Sequence, residues 1–147
     1  MIAVDTNLLV YAHRRESSHH QQANAVIRAL AEGTQAWAIP WPCVYEFLSV
    51  VTNPRIWKDA ASLPAQGWQQ LNAWAESPTN VLLSETDDFL AVLGRFAQRP
   101  RVRGGIVHDA RIAALCIAHG VDTLLSADRD FALFPELKVR NPIQAID

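Results

Sequence analysis

Short runs of strand character recur along this chain at Ile2–Val4, Trp37–Ile39, Val81–Leu83 and Val121–Leu125, and helical stretches fill the intervals between them. The first three runs are apolar throughout instead of alternating with polar residues, so both faces of each strand need cover. Intervals this long suit crossovers rather than hairpins, and crossovers lay helices over the sheet. The expected architecture is therefore α/β, with a central parallel β-sheet inside a three-layer α/β/α sandwich. Val139 is a candidate for a last strand at the sheet edge.

The intervals carry their own start and stop signals. Asp5-Thr6-Asn7 suits the cap of a short helix through Leu8, Leu9, Val10 and Tyr11. Ser17 or Ser18 can cap a second helix, where Ala23, Val26, Ile27 and Leu30 keep helical spacing up to Gly33. Pro42 opens a helix that turns Val44, Phe47, Leu48 and Val51 inward, and Asn53-Pro54 closes it. Arg55–Pro64 reads as an irregular connection. A helix over 65–76 follows, with Trp68, Leu71 and Trp74 as its apolar stripe, then one carrying Phe89, Leu90, Leu93 and Phe96. Another runs from His108 to His119, with Gly120 as its stop, and a short helical stretch passes through Phe131 and Phe134. With 147 residues, 50% of them hydrophobic, the chain fits one domain, 1–147, with ample material for a core.

In an open parallel sheet, ligands gather beyond the carboxyl ends of the strands. Asp5 ends the first run and Asp128 follows the fourth, so both belong to that rim. Glu46 and Asp109 fall in the opening turns of two helices, and helices starting at the same rim bring their carboxylates to the same space. Asp5 and Asp109 lie in apolar segments, where an unpaired charge is costly. Glu46 interrupts Val44-Tyr45 and Phe47-Leu48, a stretch with little apparent use for a solvated glutamate. Asp87 and Asp88 crowd one helix start and read as partners of its dipole. Four carboxylates in one space repel unless cations neutralise them, and oxygen-only ligands select hard ions, Mg²⁺ or Mn²⁺. Such a site can activate water and clamp a phosphodiester for in-line displacement.

Val4-Asp5-Thr6-Asn7-Leu8-Leu9-Val10-Tyr11-Ala12 resembles the opening motif of the PIN-domain nucleases. Tyr45-Glu46-Phe47, His108-Asp109-Ala110 and Ser126-Ala127-Asp128-Arg129-Asp130-Phe131 resemble its later acidic motifs, in order. Pro40-Trp41-Pro42 and Val51-Thr52-Asn53-Pro54-Arg55 are similar to the VapC toxins of bacterial type II toxin–antitoxin pairs. The resemblance implies a Mg²⁺-dependent endoribonuclease that hydrolyses RNA through metal-activated water and inhibits translation. It also implies a homodimer and inhibition by a VapB-like antitoxin. Asp5, Glu46 and Asp109 match the core metal-site acids, and Asp128 matches a more variable fourth, a place Asp130 could share. Thr6 and Ser126 match hydroxyls that support the site.

The formal net charge of −2 does not advertise a nucleic-acid binder, yet cation loading would make an acidic pit less negative and expose a basic rim. Arg14, Arg15, Arg99, Arg101, Arg103 and Arg129 are the candidates for the RNA backbone; those between 99 and 103 lead into Gly104-Gly105, a loop suited to tracking phosphates. Cys43 and Cys116 are too few and too distant for a zinc motif or a disulfide framework and read as buried thiols. Asp5 interrupts the opening run before signal-peptide length, and no apolar run is long enough to cross a bilayer, so a soluble cytoplasmic protein is expected. Two other readings stand beside the nuclease. A non-catalytic interaction module of the same fold is opposed by the uninterrupted acidic set. An aspartyl phosphotransfer domain generally needs a second acid two residues after the first and a nearby lysine; position 7 is Asn, and the only lysines are Lys58 and Lys138.

Overall fold

The computed structural model describes residues 1–143; positions 144–147 of the expected domain lie outside the described residues. Among these, strands β1 (Ile2–Val4), β2 (Trp37–Pro40), β3 (Asn80–Leu83), β4 (Thr123–Leu125) and β5 (Val139–Arg140) form one sheet in the order β3-β2-β1-β4-β5. Every neighbouring pair is parallel, with Ala3 opposite Ala38 on one side and Leu124 on the other. Ala3, Val4, Trp37, Ala38, Ile39, Leu83 and Leu124 have no exposed surface, as their unbroken apolar runs require.

The helices are α1 (Thr6–His13), α2 (His20–Glu32), α3 (Trp41–Val51), α4 (Pro54–Trp57), α5 (Pro64–Ala75), α6 (Phe89–Ala97) and α7 (Ile106–Ala118). The chain steps outward from β1 to β2 and β3, returns to β4 on the other side of β1, and continues to β5. Right-handed crossovers then place α1, α2, α3 and α5 on one face of the sheet and α6 and α7 on the other. The packing agrees: α1 lies against α2 and α3, α3 against α5, and α6 against α7. The step direction reverses between β1 and β4, which makes the gap beyond their carboxyl ends the topological switch of this sheet. No described helix is long and apolar enough to cross a membrane.

Several local expectations shift. The helix expected from His108 begins two residues earlier, at Ile106, and β4 starts at Thr123 rather than Val121. Arg55–Pro64 is more ordered than its composition suggests, because Asn53 Oδ1 accepts the Arg55 N–H at 2.9 Å and starts α4, which a 3-10 turn over Lys58–Ala60 follows. Arg14 fixes that excursion to the end of α1. Its guanidinium lies 4.1 Å from the Trp57 ring centroid and donates to the Ala60 carbonyl at 2.8 Å, while also pairing with Glu16. Only 6% of Arg14 is exposed.

The apolar stripe of α5 differs from the expected one in a single residue. Trp68 is 58% exposed, and the inward stripe is Gly67, Leu71 and Trp74, spaced i, i+4, i+7. Gly67 faces α3 so closely that a Cβ there would stand 3.3 Å from Val51 Cγ2 and 3.5 Å from Leu48 Cδ2. Backbone proximity, not side-chain size, decides this face, and a hydrophobicity pattern cannot register it. Trp74 packs edge-on to Phe47 with ring centroids 5.2 Å apart. Trp74→Ala should accordingly cost about 3–5 kcal/mol in urea unfolding, whereas Trp68→Ala should stay within about 0.5 kcal/mol of the parent. Equal losses at the two positions would refute this assignment of the face.

Candidate metal centre

The parallel sheet brings four separated chain segments to one rim. Asp5 follows β1 and caps α1; Ser126, Asp128 and Asp130 follow β4. Because α3 leaves β2 and α7 descends into β4, both helices have their N-terminal ends at that rim, carrying Glu46 and Asp109. Asp5, Glu46, Asp109 and Asp128 line a single cleft of about 250 Å³, together with Thr6, Asn7, Val10, Tyr11 and Val50. Carboxylate oxygens of Asp109, Asp128 and Asp130 lie within 4.8 Å of one another. Asp130 therefore stands in the cluster alongside Asp128 rather than in its place.

Asp5 is the most constrained of these acids. Only 5% of it is exposed, and both of its oxygens are met by donors. Oδ1 accepts the Thr6 N–H at 2.8 Å and the Cys43 S–H at 3.6 Å; Oδ2 accepts the Ser126 hydroxyl at 2.6 Å and the Asn7 amide at 3.2 Å. Burial raises the Asp5 pKa above the usual carboxylate value, and the donors from Ser126 and Thr6 pull the other way. Burial and the Asp5 charge push the Cys43 thiol well above its ordinary pKa, so it remains an S–H donor.

Three further contacts organise the rim. The Thr6 hydroxyl donates to Glu46 Oε2 at 3.0 Å, tying α1 to α3. Asn7 spans the switch: its amide also reaches Ser126 Oγ at 3.3 Å, and its Oδ1 accepts the Ala127 N–H at 3.1 Å. Ser126 Oγ in turn accepts the Asp128 N–H at 3.0 Å, and Asp128 Oδ1 accepts the Asp130 N–H at 2.8 Å. Asn7 and Cys43, read from the sequence as a cap residue and a buried thiol, join the site through these contacts. Asn7 carried one signal, a carboxamide in the first turn beside the capping acid, where such side chains bond locally; Cys43 carried none.

Glu46 does not sit where its apolar neighbours implied. Cys43, Val44, Phe47 and Val51 form the buried stripe of α3, and Glu46 is exposed beside Tyr45 and Ser49. Asp109 is half-buried, and its pKa rises from 3.8 to about 7, first through desolvation and then through the charges of Asp128, Asp5, Asp130 and Glu46. Of the six arginines, Arg15, Arg101, Arg103 and Arg129 are exposed. Arg14 is buried under Trp57, and Arg99 is tied to the Leu133 carbonyl at 2.8 Å and to Glu136. Neither guanidinium is free for phosphate, which corrects the expectation for these two.

The family model of the PIN domain matches residues 2–137, which span β1 to β4 and all four acid-bearing segments. The chain belongs to the PIN-domain family. Within it, the relatives are VapC ribonucleases: VapC43 of Mycobacterium tuberculosis is 32% identical over 143 residues, covering 97% of this chain and 96% of that protein. Among solved structures, VapBC2 from Rickettsia felis, bound to a DNA fragment from its promoter, superposes with a TM-score of 0.69 at 20% identity, covering 96% of this chain and 98% of that one. The sarcin–ricin-loop-cleaving toxin VapC20 of Mycobacterium tuberculosis gives 0.66 at 17% identity over 90% of this chain and 93% of that one. At these identities the two structures speak for the fold.

The crowding at Asp109 has a consequence for stability. An acid with a raised native pKa keeps a proton that the unfolded chain has released, so the cation-free fold loses stability as pH climbs from about 4 through about 7. Asp109→Asn removes that charge. In EDTA at pH 8 the variant should melt higher than the parent, by roughly the 2–4 °C that 1 kcal/mol produces in a chain of this size, and the gap should narrow as pH falls toward 4. A variant less stable than the parent at pH 8 would contradict the repulsion.

Proposed function

We propose that this chain is a Mg²⁺-dependent endoribonuclease and the toxin of a type II toxin–antitoxin pair. The observation that carries the reading is the convergence of Asp5, Glu46, Asp109 and Asp128 on one cleft, with Asp130 beside them. The donor set fits a hard divalent cation: it is oxygen only, and burial together with the surrounding negative charges already pushes Asp109 toward neutral pH. Held there, Mg²⁺ or Mn²⁺ supplies positive charge to a phosphodiester and activates water at neutral pH.

The remaining work falls to the chain. Asp5, fixed by its donors, presents its carboxylate without reorganisation; Thr6 orients Glu46; Ser126 and Asn7 set the distance between the ends of β1 and β4. Asp109, Asp128 and Asp130 close the opposite side. Arg15, Arg101, Arg103 and Arg129 are the proposed contacts to the RNA backbone. An aspartyl nucleophile at Asp5 is disfavoured because both oxygens are already engaged by donors. The relationship to VapC ribonucleases supports RNA as substrate and inhibition of translation as outcome, and the VapBC2 pair supports a VapB-like antitoxin. A homodimer acting in the cytoplasm completes the proposal.

The test is cleavage of total cellular RNA by the purified, antitoxin-free protein. Mg²⁺ should support cleavage, EDTA should stop it, and Asp5→Asn should abolish it. Ser126→Ala, which deprives Asp5 Oδ2 of its shortest donor, should lower metal affinity or rate by about 10–100-fold. Cleavage that persists in EDTA, or in Asp5→Asn at the parent rate, would refute the mechanism.

A further inference from the structure

We propose that the cleft between α3 and α7 is a nucleobase subsite in which Tyr45 is the stacking platform for an unpaired RNA base next to the bond that is cut. This rests on the ribonuclease reading and adds the form of RNA that the site accepts.

Tyr45 is 64% exposed, although the residue after it belongs to the acidic cleft. The core-facing stripe of α3 is complete without it. Its ring is therefore free of the core and available to a ligand, and unlike the likewise exposed Trp68 and Leu90 it lines a cleft that adjoins the acids. Trp41, one turn earlier, backs it with ring centroids 5.9 Å apart and planes inclined by 32°. Together they make a semi-rigid aromatic shelf.

The shelf opens onto a cleft of about 450 Å³, a size ordinary for small organic ligands. Glu46 and Asp109 line this cleft and the acidic one alike, so the two adjoin. A nucleotide whose phosphate lies at the acids therefore has its neighbour's base within reach of Tyr45. Ser49 and His108, on the cleft walls, place a hydroxyl and an imidazole where the edge of a stacked base can meet them. Arg111 is committed to Glu85, with Nε at 3.0 Å from Oε1, and serves as wall rather than phosphate clamp. A paired base hides both its faces in the helical stack, so a stacking platform selects single-stranded or looped RNA.

The experiment measures affinity with hydrolysis disabled. In an Asp5→Asn background with Mg²⁺, a short single-stranded RNA of mixed sequence should bind and quench Trp41. Tyr45→Ala should weaken that binding by about 5–150-fold, the equivalent of 1–3 kcal/mol for one stacked base, while Tyr45→Phe keeps it. The same sequence annealed into a duplex should bind more weakly and without regard to residue 45. With the active site intact, Tyr45→Ala should raise KM more than it lowers kcat. Melting temperatures should match the parent, since the side chain is exposed. Single-strand affinity and KM that ignore Tyr45→Ala would overturn the subsite, and would be the result if the cleft instead receives a protein segment. Absence of RNA cleavage by the unmodified protein is a separate result, which removes the nuclease reading itself.

Discussion

A buried carboxylate at the end of the central strand holds the rim of this molecule together. Asp5 is expensive to desolvate, and its place is tenable only because the fold aims four donors at it. Those donors come from three parts of the chain: Thr6 and Asn7 in the first turn of α1, Cys43 in α3 and Ser126 after β4. One side chain thereby fixes α1, α3 and the end of β4 relative to one another. The same side chain caps α1 through the Thr6 N–H, so the helix start and the site geometry are a single feature.

The acids around it are graded by exposure. Asp5 is buried, Asp109 and Asp128 are half-buried, and Glu46 and Asp130 are open to solvent. The grading sets what each can do. Asp5 presents a carboxylate held in one orientation by its donors, whereas the open acids are free to adjust. The half-buried Asp109 bears the resulting strain, because it is desolvated and surrounded by like charge at once. A cluster of this kind opposes the fold that contains it until a cation arrives, and the central sheet, covered on both faces, supplies the stability that tolerates it.

Most of this was legible in the sequence because parallel sheets leave a strong trace. Unbroken apolar runs mark three of the strands, and the parallel order of the sheet sends Asp5, Glu46, Asp109 and Asp128 to one edge. Glu46 was found by a partly mistaken argument: its neighbours are apolar, yet it lies on the open stripe of α3, and a linear string does not say which stripe faces out. Gly67 and Trp68 exchanged places for a related reason, since a close backbone approach favours the residue with no side chain. Arg14 and Arg99 looked like phosphate ligands because charge is visible in a sequence and partners distant in it are not. Asn7 and Cys43 act only through contacts made after the chain has folded, Cys43 across 38 residues and Asn7 across 119.

If the chain cleaves RNA as proposed, the engagement of those two arginines changes how substrate would be recognised. The chain has 13 basic and 15 acidic residues, and among the basic ones Arg14, Arg28, Arg99 and Arg111 are paired with carboxylates. A protein that relies on phosphate neutralisation needs many free cations, and its affinity falls steeply with salt. With Arg14 and Arg99 engaged, the exposed candidates for the backbone reduce to Arg15, Arg101, Arg103 and Arg129. Under the proposed function, discrimination draws also on shape, on cations bound by the acids, and on aromatic surface. The proposed platform at Tyr45, beside Glu46, meets that requirement: stacking tolerates any base but demands that it be unpaired. Under that proposal, the near-neutral charge that argues against a general nucleic-acid binder bears on mode instead, favouring a site that reads exposed bases over one that follows a duplex by its charge.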